Sequence, residues 1–343
     1  MTLFTRFLSD MEVMNLLNSF ALSHDQTTDL LERLVNRVDQ VVIGKRHEIE
    51  LIIIAMLQGG HVLLEDIPGV GKTTLVRAIA ASLGSSFGRI QFTSDVMPSD
   101  VTGVAVYHPH SGDFEFRPGP VLSNIVLADE INRAAPRTQS ALLEAMEERR
   151  VTVDGVTYNL PKPFLLLATQ NPLQFEGTYR LPEAQMDRFL MRISLGYPKP
   201  EQEVDMLGRH QTGSLVEEMK PVLLAEEMAG MQRMVRTVLV DESIKRYLVS
   251  VADLSRRHPK TSLGISPRGT LAWMGAAQAH AYYQGRMYVI PDDVKAVAAA
   301  VLAHRVVLSP EGKLGGLRGE ELVHEWLGKT PVPMSLGTAR ASS

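Results

Sequence analysis

The segment PGVGKTT, residues 68–74, constrains the fold more than any other part of the sequence. It stands between an apolar run that predicts a strand over His61–Glu65 and a helical pattern over Thr73–Leu83. Glycines in such a turn let backbone N–H groups converge at the helix N-terminus, where the partial positive charge favours anions. A lysine there reaches the terminal phosphates of a nucleotide, and a hydroxyl ligates Mg²⁺. The sequence therefore predicts a phosphate-binding loop made of Pro68, Gly69, Val70, Gly71, Lys72, Thr73 and Thr74.

The loop departs at one position from the strict pattern GxxxxGK[ST]. The pattern has glycine at position 66, where this chain has Asp66. Because this residue opens the loop and does not surround the phosphates, we expect the loop to tolerate it.

Short apolar runs alternate with helical patterns up to about residue 198. The predicted strands are His61–Glu65, Arg89–Phe92, Ile125–Ala128, Phe164–Thr169 and Met191–Leu195, and the predicted helices are Thr73–Leu83, Thr138–Glu148 and Glu183–Phe189. Strands that are apolar throughout are typical of a parallel sheet buried on both faces. We predict an α/β fold of the P-loop NTPase type, with a parallel sheet sandwiched by helices over residues 29–198.

Other segments complete the predicted organisation. Two insertions, Gly103–Pro120 and Arg150–Leu160, read as protruding β-hairpins, the second with an Asp154–Gly155 turn. After Pro200 only helical patterns remain, which predicts an all-helical domain over residues 199–329. Residues 1–28 are interpreted as an N-terminal extension and residues 330–343 as a loose tail.

Polar residues follow two of the predicted strands. Asp129 and Glu130 end the run IVLADE, and Asn171 follows Phe164–Thr169. Ligands of open α/β sheets bind at the carboxyl ends of the strands. We expect Asp129 to hold Mg²⁺ and Glu130 to polarise an attacking water. Asn171 either orients that water or touches the γ-phosphate, or is a turn residue before proline.

Two arginines further along the chain each allow two interpretations. Arg188, at the end of the predicted helix Glu183–Phe189, either complements the helix dipole or pairs with Asp187, or else is offered to a neighbouring subunit's nucleotide. Arg268 follows Pro267 at the start of a predicted helix, and is either a surface residue or points back at bound phosphate.

Composition excludes several functional classes. The 343 residues contain no cysteine, which excludes a disulfide framework, a thiol nucleophile and thiolate metal sites. A net charge of −4 provides no global basic field for nucleic acid or acidic lipid. No apolar run approaches the roughly 20 residues of a membrane span, and Asp10 and Glu12 interrupt any signal-peptide core. We expect a cytoplasmic protein.

Four strings together resemble the MoxR family of AAA+ ATPases: LLEDIPGVGKT, ADEINRAAPRTQSALLEAMEE, ATQNP and LPEAQMDRFLM. The similarity extends from about Val41 to His304. It implies an AAA+ core followed by a helical lid, with the hairpins as the helix-2 insert and the pre-sensor-1 hairpin. It further implies Walker A residues Lys72 and Thr73, Walker B residues Asp129 and Glu130, sensor 1 Asn171, arginine finger Arg188, sensor 2 Arg268, and adenine packing by Val42 and Ile43.

The same resemblance implies a function. Family members use ATP and Mg²⁺, assemble as homo-hexamers, and carry out chaperone-like remodelling or maturation of partner complexes, including metal insertion. The partner expected is a protein with a von Willebrand factor A domain. A magnesium-chelatase-like motor is the related alternative. A nucleic-acid motor is disfavoured by the acidic charge, and a non-catalytic switch is disfavoured because every catalytic position holds a competent residue.

The resemblance leaves open the roles of three residues within its second string. Arg133 is either a relay between subunits or a member of a structural ion pair, and no role follows for Asn132 or Arg137.

Overall fold

A parallel sheet forms the centre of the N-terminal part of the protein. The computed structural model describes residues 24–67, 69–110, 112–171, 179–210 and 216–333. The strands of the sheet are β1 (Val62–Glu65), β2 (Phe87–Gln91), β5 (Ile125–Asp129), β8 (Leu165–Gln170) and β9 (Met191–Ile193). Within the described residues their order is β2–β5–β8–β1–β9, and every pairing is parallel. This confirms the predicted sheet, with shifts of one or two residues at the strand ends.

Alternate residues of the central strands face two separate apolar cores. Leu127 of β5 and Leu167 of β8 belong to one buried cluster, whereas Val126 and Leu166 belong to the other. Successive side chains of a strand point to opposite faces, so both faces of the sheet are covered. The first face is covered by α1 (His24–Asp39), α2 (Arg46–Gln58) and α3 (Lys72–Ser82), and the second by α4 (Pro98–Thr102) and α5 (Pro136–Glu148).

Helix α1 begins within the predicted N-terminal extension, residues 1–28. Leu31, Leu34, Val35 and Val38 are fully buried, at the spacing of one helix face. Because the helix is present from His24, residues 24–28 belong to it and not to the predicted extension. The rest of that extension, residues 1–23, lies outside the described residues.

Both predicted insertions are antiparallel hairpins. One pairs β3 (Gly103–His108) with β4 (Asp113–Pro118), and the other pairs β6 (Arg150–Val153) with β7 (Val156–Asn159). Asp154 and Gly155 both have positive φ, as the tight turn of a two-residue hairpin requires. The ring of Phe116 stacks on Tyr158, with centroids 3.9 Å apart and planes inclined by 15°. We call the two joined hairpins the hairpin pair.

The C-terminal part is largely helical. Its helices are α7 (Pro200–His210), α8 (Ala225–Val235), α9 (Glu242–Arg257), α10 (Pro267–Tyr283), α11 (Pro291–Leu302), α12 (Pro310–Leu314) and α13 (Gly319–Lys329). The prediction of helix alone is wrong in one detail, since β10 (Thr261–Leu263) pairs antiparallel with β11 (Val307–Leu308). Trp273 and Trp326 are fully buried in the same cluster that covers the first face of the sheet.

Two further findings concern the predicted C-terminal tail and the character of the helices. Helix α13 reaches Lys329, and residues 334–343 of the predicted tail lie outside the described part of the chain. Among the helices that the structure describes, none has the length and apolar character needed to cross a bilayer.

Candidate functional site

The predicted phosphate-binding loop connects β1 to α3. Gly69 and Gly71 have φ values of 88° and 85°, a left-handed conformation that favours glycine. Among the described residues, apart from the glycine itself and its chain neighbours, no atom lies within 4 Å of the place where a Cβ would stand on either residue, so this side of the turn is open. Helix α3 begins at Lys72 directly after this turn, which directs its unpaired N–H groups toward the opening. Val70 packs against the main core, and Pro68 lies outside the described residues.

A cavity of about 430 Å³ lies above this loop. Its described lining residues are Asp66, Gly69, Gly71, Lys72, Thr73, Thr74, Arg89, Gln91, Asp129, Glu130, Thr169, Gln170 and Asn171. The Lys72 ammonium donates to the carbonyl oxygens of Ile67 at 2.8 Å and Asp66 at 3.2 Å. Burial lowers the pKa of Lys72, although the negative charges of Asp66, Asp129 and Glu130 oppose this shift. An anion placed beside the ammonium would favour its charged form and so offset the effect of burial.

Thr169 positions both predicted acidic residues. Its hydroxyl donates to the Asp129 carboxylate at 2.7 Å and accepts the backbone N–H of Glu130 at 2.8 Å. Glu130 has φ 56° and ψ 48°, a region that non-glycine residues rarely adopt. This strain accompanies functional sites and turns the chain sharply after β5. The Glu130 carboxylate accepts from Arg133 at 3.0 Å and from Gln91 at 3.3 Å.

Strand β2 contributes polar residues that the sequence reasoning missed. Gln91 is in register with Asp129 on the neighbouring strand, and Arg89 pairs with the Asp129 carboxylate at 2.9 Å. Both face the cavity. The signal for them was present, because polar residues alternate with apolar ones in the predicted strand Arg89–Phe92.

The third strand brings Asn171 to the same edge of the sheet. Strand β8 lies between β5 and β1, so its carboxyl end adjoins both the acidic pair and the loop. Asn171 lines the cavity, and its backbone carbonyl accepts from the side chain of Asn132 at 3.5 Å. The structure therefore gathers Lys72, Asp129 and Asn171 beyond the carboxyl ends of three adjacent strands, β1, β5 and β8. Their individual roles remain predictions.

The residues present suit a magnesium ion. Asp129 and Thr73 both line the cavity next to the open turn, and carboxylate and hydroxyl oxygens are the ligands that Mg²⁺ prefers. When bound with a nucleotide, the ion would neutralise charge on the phosphate oxygens.

Arg188 and Arg268 are not among the described residues that line this cavity. The predicted helix Glu183–Phe189 is shorter than expected: α6 (Glu183–Met186) ends two residues before Arg188, which lies in the turn before β9 and not at the helix end. Its guanidinium contacts the Leu143 carbonyl at 3.0 Å and the Glu147 carboxylate at 3.1 Å. Arg268, in the first turn of α10, contacts the other oxygen of Glu147 at 3.1 Å. The two arginines thus meet at a second cavity of about 240 Å³.

Arg305, which no sequence pattern indicated, holds the segment that carries Arg188. Its side chain is only 3% exposed, and it donates to the Asp187 carboxylate at 2.7 Å. Its remaining N–H groups donate to backbone carbonyls of Asp187, Phe189, Leu190 and Val301. Burial lowers the pKa of Arg305, and Asp187 opposes the shift.

The predicted adenine segment lies between α1 and α2. Val42 is buried in the main core, and Ile43 is half-buried. Neither is among the described residues lining the phosphate cavity, so their role toward adenine remains a prediction. Lys45, two residues further on, donates to the backbone carbonyls of Leu195 and Tyr197.

Comparison with known proteins decides the family. Residues 61–191 match the family model of the "ATPase family associated with various cellular activities (AAA)", and residues 254–326 match the AAA lid domain. Chaperone MoxR1 of Mycobacterium tuberculosis is 38% identical over 312 residues, which cover 88% of this chain and 82% of that protein. The chain belongs to the MoxR family of AAA+ ATPases.

Two other relatives of this MoxR protein span nearly its whole length. Uncharacterized protein YeaC of Bacillus subtilis is 50% identical over 311 residues, covering 91% of this chain and 97% of that protein. A crystal structure from Cytophaga hutchinsonii, 35% identical, superposes with a TM-score of 0.85 and covers 94% of this chain and 100% of that one. The AAA+ core with a helical lid is therefore established for this chain.

Proposed function

We propose that this protein hydrolyses Mg-ATP in a closed homo-hexameric ring, in which each protomer supplies Arg188 and Arg268 to its neighbour's nucleotide. The observation that carries the proposal is that both arginines share one carboxylate, Glu147, away from the cavity of Lys72. Guanidinium groups bind carboxylate and phosphate in the same manner. The Glu147 carboxylate, 40% exposed, thus stands in for the terminal phosphate of an incoming nucleotide.

Within one protomer the residues divide the chemistry. Lys72 and the N–H groups of the loop bind the phosphates, and Asp129 with Thr73 would hold the magnesium ion. Glu130 polarises the attacking water, while Thr169 fixes its backbone and Arg133 its carboxylate. Asn171, at the end of the adjacent strand, orients the water or the γ-phosphate.

An arginine supplied by a neighbour sets the size of the expected effect. Such a residue accelerates phosphoryl transfer by about 10³–10⁵-fold, because it neutralises charge that develops in the transition state. We therefore expect hydrolysis to be slow in isolated protomers and to depend on assembly. The ring would use the hydrolysis cycle for chaperone-like remodelling or maturation of a partner protein, as the name of its relative Chaperone MoxR1 suggests.

Mixing two inactive variants tests the supply of arginine between protomers. Arg188→Ala should bind ATP with wild-type affinity but lose hydrolysis, and Glu130→Gln should bind ATP without turnover. In a 1:1 mixture, a site that combines Glu130 of one protomer with Arg188 of the next is complete. Random mixing in a ring then restores about a quarter of the wild-type rate. Wild-type hydrolysis by Arg188→Ala alone would show that the finger assignment is wrong.

The same Glu130→Gln variant tests the partner. Held in the ATP state, it should retain a protein with a von Willebrand factor A domain, the partner class that the resemblance implies. Calorimetry on the intact protein provides the more basic check, since absence of ATP binding with magnesium would refute the whole proposal.

A further inference from the structure

The segment that joins the core to the C-terminal helices is held by side chains that bind both its backbone N–H groups and its backbone carbonyl groups. We call residues Ser194–Tyr197, between β9 and α7, the linker. Leu195 is buried in the main core, while Ser194 and Tyr197 are exposed. Gly196 has φ 62°, a left-handed conformation that suits glycine in a sharp change of chain direction. The orientation of α7 relative to the sheet therefore depends on what holds these residues.

Asp66, the residue that replaces the first glycine of the loop pattern, binds the N–H groups of the linker. Its carboxylate accepts the backbone N–H groups of Leu195 and Gly196, the latter at 3.0 Å, and the hydroxyl of Ser194 at 3.1 Å. The residue is 5% exposed, so water offers these donors little alternative. Hydrogen bonds from backbone N–H to a carboxylate are of the strong, charge-assisted kind. A glycine at position 66 would have no group to make them.

The backbone of Asp66 is part of the nucleotide cavity. Its carbonyl accepts from the Lys72 ammonium at 3.2 Å, and its N–H donates to the Gln170 carbonyl at 3.2 Å, one residue before Asn171. Its side chain and its main chain thus connect three parts of the molecule: the loop lysine, the end of β8 and the linker.

Lys45 binds the carbonyl groups of the linker. It is 9% exposed and follows the predicted adenine segment Val42–Ile43. Its ammonium donates to the carbonyls of Leu195 and Tyr197. Leu195 is consequently fixed at its N–H by Asp66, just before the phosphate-binding loop, and at its carbonyl by Lys45, just after the adenine segment.

We infer that Asp66 is a positioning residue that couples the nucleotide to the lid through the linker, with Lys45 as its counterpart. The inference rests on the proposed function, since it requires ATP to bind over the loop. A nucleotide that draws Lys72 away from the Asp66 carbonyl would displace the residue whose carboxylate holds Leu195 and Gly196. The movement would therefore reach α7 without a contact between the nucleotide and the lid. A carboxylate that only stabilised the fold would leave hydrolysis per folded protomer unchanged.

The variant Asp66→Asn tests the inference in the full-length protein. It keeps the side-chain volume but places an amide N–H₂ group against a backbone N–H, so at least one bond to the linker is lost. We expect affinity for a fluorescent ATP analogue to stay within about threefold of wild type while kcat falls about tenfold. Asp253→Asn is the matched control, because that carboxylate pairs with Arg257 on α9 and should leave both values unchanged.

A distance measurement separates coupling from stability. The chain has no cysteine of its own, so spin labels attach only to cysteines that are introduced. Suitable positions are the exposed residues Ser140 of α5 and Ser250 of α9. Pulsed electron paramagnetic resonance should show that ATP changes the distance between the two labels in the otherwise wild-type protein and in Asp253→Asn. The distance should not change in Asp66→Asn.

The outcomes are distinguishable. Wild-type kcat together with a full distance change in Asp66→Asn would overturn the inference, and so would loss of ATP binding, since Asp66 would then act on the loop itself. Failure of the unmodified protein to bind ATP would instead refute the proposed function. Should Asp66→Asn not fold, Ser194→Ala removes one bond from an exposed residue. We expect it to lower kcat about two- to fivefold at unchanged ATP affinity, and a wild-type kcat would overturn the inference.

Discussion

Arg305 offers the sharpest test of how the lid holds the arginine-bearing turn. Its buried guanidinium donates to the Asp187 carboxylate and to backbone carbonyls including Phe189 and Leu190. Arg305→Met removes the charge and leaves these acceptors without their donor. Breaking a buried ion pair from one side costs about 3–5 kcal/mol. Since each kcal/mol lowers Tm by about 2–4 °C in a domain of this size, we expect a fall of roughly 6–20 °C.

The matched control is Arg188→Met, at the residue directly after Asp187. Arg188 is 31% exposed, and its ion pair with the exposed Glu147 contributes at most about 1 kcal/mol, so Tm should fall by less than about 4 °C. Both variants should lose hydrolysis, Arg188→Met because the guanidinium is absent and Arg305→Met because the turn that presents Arg188 is released. Scanning calorimetry and an ATPase assay measure the two effects. Melting of the two variants within about 2 °C of each other would refute the reasoning.

Two further predictions concern charged groups. Glu147→Gln removes the carboxylate shared by Arg188 and Arg268. The half-maximal ATPase rate should then be reached at a protein concentration up to about fivefold lower than in the wild type. A shift to higher protein concentration would contradict the role of Glu147 as a stand-in for phosphate. Burial alone would raise the pKa of Asp293, but hydrogen bonds led by Arg286 outweigh it and lower the pKa from 3.8 to about 2. The stabilisation is therefore present above pH ~4 and lost as the pH falls toward 2. Between these values the unfolding free energy from urea titrations should drop about 2 kcal/mol more in the wild type than in Asp293→Asn; equal drops would contradict the assignment.

Local patterns were sufficient to predict the sheet and the centre of the site. The loop around Lys72 and the acids Asp129 and Glu130 each follow a strand whose apolar run is continuous, and the order of those strands brings them together. The hairpins were equally accessible, because alternation and an Asp154–Gly155 turn are local signals.

Contacts between distant parts of the chain could not be predicted. Asp66 reads as a mismatch in a motif, yet its partners are Leu195 and Gly196, about 130 positions away. Arg305 and Asp187 are separated by 118 positions, and neither stands in a pattern that names the other. The location of Arg268 was open for the same reason, since it depends on how α10 packs against the core and not on the sequence around it.

The stacking of Phe116 on Tyr158 has a mechanical consequence. These rings belong to protrusions that leave the sheet at different places, one between β2 and β5 and the other between α5 and β8. Because the rings stack face to face, the two hairpins of the hairpin pair are mechanically connected. A force applied to one hairpin is therefore transmitted to the other. The second hairpin starts at Arg150, three residues after Glu147, so its base lies close to the carboxylate that Arg188 and Arg268 share, and in the ring proposed above it would move with that contact.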